Sequence, residues 1–316
     1  MVKYPLKLFL APMEGVTDFV MRDLLTGLGG IDQCVTEFLR VTDKLYPDRI
    51  FLENCPELKT GSRTRAGTSV FIQLLGGHAE PLAENAARAA KLGALGIDLN
   101  FGCPAKTVNR HDGGASLLKS SNRIFDIVYT VRKNVPSHVP VTAKIRLGFD
   151  DPTVCVENAL AAQEAGAAWL TVHCRTKTDG YKPPAYWEWI PRIKDKTNIK
   201  IIANGEIWTV DDFDRCQKVT GCDEFMIGRA ALKNPFLFKQ IKQSHDAQTQ
   251  PVHLLPGFFE ACTVYLNDDF ATARTKQWLN QLRSTDEKIQ SIFDEVKILK
   301  KPTEFKKKLD QLLSLP

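Results

Sequence analysis

A cysteine held between a glycine and a proline, in the run Asn100-Phe101-Gly102-Cys103-Pro104-Ala105-Lys106, is the residue of this 316-residue chain best placed to do chemistry. Proline fixes its own φ and has no N–H, so such a thiol belongs on a loop rather than inside a helix or strand. An ordinary thiol has a pKa near ~8.5 and is protonated at neutral pH, which suits a general acid. A second set of chemically active residues falls at the ends of apolar runs: Met13, Gln73, Asn100, Lys144, Arg146, His173, Asn204 and Arg229. One buried polar residue is ordinarily a satisfied core group. A set that recurs at run after run points to a ligand. Two runs end in glycine, Ile201-Ile202-Ala203-Asn204-Gly205-Glu206 and Met226-Ile227-Gly228-Arg229. Backbone can approach a ligand closely there, and Arg229 adds a permanent cationic fork, so a phosphate is expected. Lys144 sits in Thr142-Ala143-Lys144-Ile145-Arg146-Leu147, a run that reads as buried rather than as a solvated strand end.

Elements must bring these positions together. Eight strand-like runs recur: Leu8–Met13, Gln33–Phe38, Ser69–Leu75, Gly96–Asn100, Val141–Arg146, Trp169–His173, Lys200–Asn204 and Glu224–Gly228. Most are separated by roughly 25–45 residues with one helix-like segment, as in βα units. Leu82–Leu92 is Ala-rich and stopped by Gly93, and Asn158–Ala165 is stopped by Gly166. The count and length predict an α/β fold, a (β/α)8 TIM barrel, whose ligands gather at the C-terminal strand ends and whose last two loops bind phosphate. A doubly wound open sheet has the same alternation. Against it, the first run leads into Glu14-Gly15-Val16-Thr17-Asp18 instead of a glycine-rich fingerprint, and Gly27–Gly30 follows a helix and reads as a turn.

The pattern changes near residue 244. Ser244–Pro256 reads as a linker, followed by helical periods at Phe258–Leu266, Ala271–Leu282, Glu287–Leu299 and Thr303–Leu313. The expected division is a barrel over 1–243 and a small all-helical C-terminal domain over 244–316. Net charge is +5, and the segment from 244 on carries 10 basic and 10 acidic residues. The basic excess therefore lies in 1–243, and a polyanion site must include that part. Eight cysteines without a C-x-x-C pair or zinc spacing predict neither a metal site nor a disulfide framework. No run of ~18 apolar residues and no apolar leader is present, so the expectation is a cytoplasmic protein without a membrane span, and a monomer.

Taken in order, Ala11-Pro12-Met13-Glu14-Gly15-Val16-Thr17-Asp18, the segment Asn100–Val108, Val172-His173-x-Arg175-Thr176, Asn204-Gly205-Glu206-Ile207 and Gly228-Arg229 resemble the dihydrouridine synthases, over nearly the whole chain. The resemblance implies a barrel with FMN, NADPH as reductant, and a helical C-terminal domain that helps to hold tRNA. It implies that Ala11, Pro12, Met13, Gln73, Lys144, His173, Asn204, Gly205, Glu206, Gly228 and Arg229 hold FMN. Cys103 would be the catalytic acid and protonate C5 of a uracil that has left its stack. Arg274-Thr275-Lys276-Gln277-Trp278-Leu279, with Arg40 in Thr36-Glu37-Phe38-Leu39-Arg40, resembles the subfamily that modifies position 16 of the D-loop. In that subfamily Arg40, Asn100, Arg146, Tyr181, Arg274, Lys276 and Lys297 would meet the tRNA, Asn100 at the target uracil. The stretch Asn109-Arg110-His111-Asp112-Gly113-Gly114 lies where family members vary, and leaves the closing of the cysteine loop open. Two rival readings remain at this point. One is another FMN barrel acting on a pyrimidine, such as a dihydroorotate dehydrogenase, which has no need of the helical tail. The other is an RNA-binding relative without catalysis, which has no need of Cys103.

Overall fold

A computed structural model describes residues 5–243, 250–265, 267–284 and 287–314. Its strands are β1 (Lys7–Leu10), β2 (Gln33–Val35), β3 (Leu39–Arg40), β4 (Ser69–Leu75), β5 (Ile97–Phe101), β6 (Val141–Arg146), β7 (Trp169–His173), β8 (Lys200–Asn204) and β9 (Glu224–Ile227). They pair in parallel in the order β2-β1-β9-β8-β7-β6-β5-β4-β3, and β2 also pairs with β4. That last pairing closes an eight-stranded barrel and excludes the open sheet. Strands buried on both faces read as continuous apolar runs. In β4, Ser-Val-Phe-Ile-Gln-Leu-Leu, every residue after the first is buried.

The second strand-like run is broken rather than continuous over Gln33–Phe38. Thr36 N–H still donates to the Phe71 carbonyl (2.9 Å), but its hydroxyl then takes the ladder place and accepts from Gln73 N–H (3.0 Å). Pairing with β4 resumes three residues later as β3, Leu39 opposite Leu74. Glu37, freed from the ladder, accepts the Val16 N–H through its carboxylate at 2.8 Å. One end of the barrel interior is packed by Phe9, Ala11, Val35, Phe71, Ile202 and Met226, with Leu95 and Trp169 against them. Gly96 is needed in that layer, because a Cβ there would lie 2.1 Å from the Phe71 ring.

The chain divides into two compact units, one of Met1–Phe19 with Ile31–Gly228, the other of Val20–Gly30 with everything from Arg229 on. The second unit thus takes a segment from near the N-terminus. The reason is Gly30 (φ +88), whose Cα lies so near the Phe238 backbone that a Cβ would come within 2.5 Å. Its helices span Ala230–Lys233, Leu237–Gln243, Leu255–Tyr265, Asp268–Leu282, Glu287–Val296 and Pro302–Leu313. Their core holds Phe258 edge-on to Trp278 (5.0 Å between centroids) and Phe259 beside Phe305. The buried indole of Trp278 donates to the Leu232 carbonyl at 2.9 Å.

The expected linker lies only partly within the described residues, since 244–249 fall outside them. Its remainder is not a linker: Pro251–Leu254 is a 3-10 turn, and the next helix starts at Leu255. Pro256 fits there because a helix's first N–H groups have no intrahelical acceptor to lose. No described helix is long and apolar enough to cross a membrane.

Candidate active site

Cys103 lies two residues beyond β5 on a loop tied down on both sides of its peptide. Asn100 accepts the N–H groups of Gly102 (2.9 Å) and Cys103 (3.0 Å) through Oδ1. The Cys103 carbonyl accepts from Ala115 N–H (3.1 Å) and Asn109 Nδ2 (2.9 Å). Gly114 (φ +60) closes over it, and a Cβ there would meet that carbonyl oxygen at 2.9 Å. The segment the sequence left open is a helical turn at Lys106–Asn109. Asp112 then pairs with Arg123 at 2.6 Å, and Arg123 also donates to the Gly77 carbonyl. Of the eight cysteines Cys103 alone is not buried. Partial burial pushes its thiol above the ordinary range, and Glu14 adds to that, while the Ala105 N–H, Arg146 and Arg40 pull it back. The thiol is therefore protonated at neutral pH, the state a proton donor needs.

Alternate residues of a strand share a face, and the face beside this loop is polar. Asp98, buried, accepts from Gln73 Nε2 (2.7 Å) and from the Thr142 hydroxyl (2.6 Å). Gln73 Oε1 in turn accepts from Asn100 Nδ2 (2.8 Å). A hydrogen-bonded line thus runs from Asp98 through Gln73 and Asn100 to the Cys103 peptide. Lys144 donates to Asn204 Oδ1 (3.0 Å), and Asn204 Nδ2 donates to the Met226 carbonyl (2.8 Å). Burial, then the charge of Arg146, lower Lys144 to about 8, with Asp98 and Cys174 opposing. Burial raises Asp98, against its two hydrogen bonds and the Lys144 charge.

Asn100→Ala leaves two loop N–H groups and Gln73 Oε1 without their partner. We expect a loss of about 1–3 kcal/mol, the cost of unsatisfied groups, and faster alkylation of Cys103 by iodoacetamide as the loop loosens. Thermal unfolding and the alkylation rate measure both. An unchanged alkylation rate would show that Asn109 and Gly114 hold the loop without Asn100.

Arg146 was expected to meet tRNA, and the structure gives it a different task. It is 2% exposed, and its guanidinium donates to the carbonyls of Gly102 (2.8 Å), Thr176 (3.1 Å) and Gly180 (2.8 Å). It rivets the cysteine loop to the loop after β7. Tyr181 covers it at 5.1 Å and is itself 53% exposed. Arg175, fully buried, pairs with Glu206 at 2.6 Å and donates to the Lys182 carbonyl, with His173 Nε2 3.4 Å away. The Glu206 carboxylate, expected against the cofactor, is thus taken by Arg175 and by Trp208 Nε1. Gly205 (φ +121) precedes Glu206 (φ +55), and a Cβ on Gly205 would lie 3.1 Å from the His173 ring. After β9, a Cβ on Gly228 would lie 3.3 Å from Ala11 and 3.4 Å from Met13, so the ends of β1 and β9 meet there. Pro12 lies between those two residues, and Arg229, following Gly228, opens the second unit. Arg40 donates to the Thr107 carbonyl on the cysteine loop (3.4 Å).

The remaining expected tRNA contacts lie in the helical unit. Arg274 is buried and hydrogen-bonded to Gln277, so it does not offer an open guanidinium. Lys276 caps a helix end, donating to the carbonyls of Lys297 (3.2 Å) and Leu299. The helix Glu287–Val296 ends just before those carbonyls, short of the expected Leu299. Lys297 is exposed and pairs with Asp294.

Asp98, Thr142 and Asn109 were missed by sequence reasoning. Asp98 had a signal: it stands two residues before Asn100 and shares its strand face. Asn109 had none, since its partners are the backbone carbonyls of Cys103 and Ala105, six and four residues back.

The model of the dihydrouridine synthase family matches residues 9–314. The tRNA-dihydrouridine(16) synthase of Shewanella oneidensis is 47% identical over 308 residues, covering 97% of this chain and 98% of that protein. Its namesake in Pseudomonas putida is 48% identical over 299 residues, covering 92% and 93%. Among solved structures, an old yellow enzyme homologue from Zymomonas mobilis superposes with TM-score 0.53 at 14% identity, over 78% of this chain and 91% of that one. A 2-naphthoyl-CoA reductase complex gives 0.59 at 11%, over 76% and 50%. These last two likenesses speak for the barrel alone. With a match along nearly its whole length and relatives of almost half-identical sequence, the chain belongs to the dihydrouridine synthase family.

Proposed function

We propose that the protein reduces a uridine in the D-loop of tRNA, at position 16, to 5,6-dihydrouridine, with FMN as resident flavin and NADPH as electron source. The carrying observation is a protonated thiol fixed on a rim loop beside a polar barrel interior that contains a half-buried lysine, its pKa lowered by desolvation. The residues fit a flavin. The backbone is thinned at Gly205 and Gly228, where the barrel ends leave little room for side chains. One N–H of the Lys144 ammonium is used on Asn204 and two remain. Gln73, Lys144, His173 and Asn204 supply polar groups around one mouth, with Ala11, Pro12 and Met13 at its edge. Bound FMN would supply the electron pair that saturates the uracil C5–C6 bond.

The chain's own part is to receive, orient and protonate the base. A uracil must leave its stack, at a cost of a few kcal/mol that is least in a flexible loop. Asn100 has both Oδ1 contacts and one Nδ2 proton committed, so its second Nδ2 proton is what it offers to a uracil carbonyl. The Cys103 thiol gives its proton to C5, and the thiolate is reprotonated from water. Arg146 and Arg175 hold the loops that frame the base. Tyr181, exposed, and Arg40, half-buried, on the rim, with the exposed Lys297 on the helical unit, are the groups suited to RNA.

Purified protein is expected to absorb near ~450 nm, the usual flavin band. With NADPH it should restore dihydrouridine to tRNA from a strain lacking it, read position by position by mass spectrometry. Protein that neither carries nor takes up FMN would refute the cofactor. Product at another position would refute only position 16.

A further inference from the structure

Three loops of the barrel rim place two lysines on one aromatic ring. Lys119 Nζ lies 3.9 Å and Lys177 Nζ 4.5 Å from the centroid of Phe149. Lys119 ends the 3-10 turn Gly114–Lys119 after β5, Phe149 follows β6, and Lys177 follows β7. The backbone fixes two of the three loops together, with Lys177 N–H on the Gly148 carbonyl (2.9 Å) and Thr178 N–H on the Phe149 carbonyl (3.0 Å). Among the described residues neither ammonium has a carboxylate within ion-pair distance. The acidic side chains nearby are committed elsewhere or turned outward. Asp151 caps Thr153, Asp179 accepts from Thr176, and Asp150 is exposed.

We propose that Lys119 and Lys177 form a shared clamp for one phosphodiester of the bound RNA, a proposal that rests on the function given above. Two converging ammoniums repel each other. The quadrupole of a ring offsets only part of that. An anion between them supplies the rest. The clamp reads backbone and not sequence, so it adds affinity without choosing the nucleotide.

The test uses the flavin-loaded protein and unmodified tRNA. Lys119→Ala with Lys177→Ala should weaken tRNA binding roughly tenfold at low salt, and less as salt rises. One neutralised phosphate contributes a slope near one in log K against log salt. The double variant should therefore lose about 1 from the slope, and each single variant most of that. Turnover at saturating tRNA, the position modified and the KM for NADPH should not change. An unchanged slope would show that the lysines serve Phe149 alone. A loss of about 2 divided equally between single variants would mean two separate contacts and no clamp. A rise in the KM for NADPH with unchanged tRNA binding would assign the anion to the nucleotide. Should wild-type protein itself fail to bind and reduce tRNA, the function is refuted, and the clamp with it. A wild type that works beside an unaltered double variant refutes the clamp alone.

Discussion

Cys103→Ala is expected to lower dihydrouridine formation by roughly 10²–10⁴-fold, the contribution of a positioned general acid. Bound flavin and its reduction by NADPH should be unchanged, because neither uses the thiol. The loop should also survive, since it is held through the Cys103 N–H and carbonyl, which alanine retains. Cys103→Ser keeps partial activity at best, because a hydroxyl is a much weaker acid than a thiol. The pH profile carries a sign. Burial raises the Cys103 pKa, so the protonated form persists above the ordinary thiol range and its alkaline limb is displaced upward. The buried cysteines are the controls. Cys216, whose thiol is pushed beyond reach of titration, should respond to alanine in stability and not in turnover. Wild-type rates in Cys103→Ala would make the thiol structural and send the search for the acid to another rim group.

Lys144→Met should cost roughly 10²–10³-fold in turnover, the usual effect of removing one preorganised charge from an active site. The methylene stem is kept, so packing changes little, and the lost feature is the ammonium that donates to Asn204. The lysine is charged below about 8 and neutral above it in the cofactor-free protein. Affinity of that protein for FMN, an anion, should therefore fall as pH rises through about 8. With FMN in place the break should lie higher, since a nearby negative charge stabilises the ammonium. In Lys144→Met the same titration should be flat over this range, and the flavin midpoint potential should move to a more negative value. An identical break near pH 8 in the variant would assign the titration to another group.

What the sequence disclosed follows from how far each constraint reaches along the chain. β4, β6, β7 and β8 have the bounds that the runs predicted, because strands buried on both faces are apolar at most positions, with only a few polar residues such as Gln73 and Thr142 buried among them. The broken second strand was invisible, since a threonine hydroxyl standing in for a ladder group looks like any threonine. The cysteine loop was legible because Gly-Cys-Pro excludes regular structure whatever surrounds it. Arg146 shows the opposite case. Its guanidinium, bonded to the carbonyls of Thr176 and Gly180, has the same local sequence as one waiting for a phosphate, and only the fold reveals its partners. Asp98 could have been read from its two-residue spacing to Asn100, but its tie to Gln73 crosses to another strand.

The helical unit is written in two places in the chain, with the whole of Ile31–Gly228 between them. A ribosome adding roughly 5–20 residues per second needs on the order of 10–40 s to cross that gap. For that time Val20, Met21 and Leu25, buried in the finished protein, wait for partners not yet synthesised. The barrel strands beyond them can pair meanwhile. The same layout governs how the protein can be cut. Scission at 243/244 strands the 20–30 segment on the wrong fragment, so neither piece holds a complete helical unit. An intact one requires a rearranged gene in which residues 20–30 are rejoined to the chain from 229 onward.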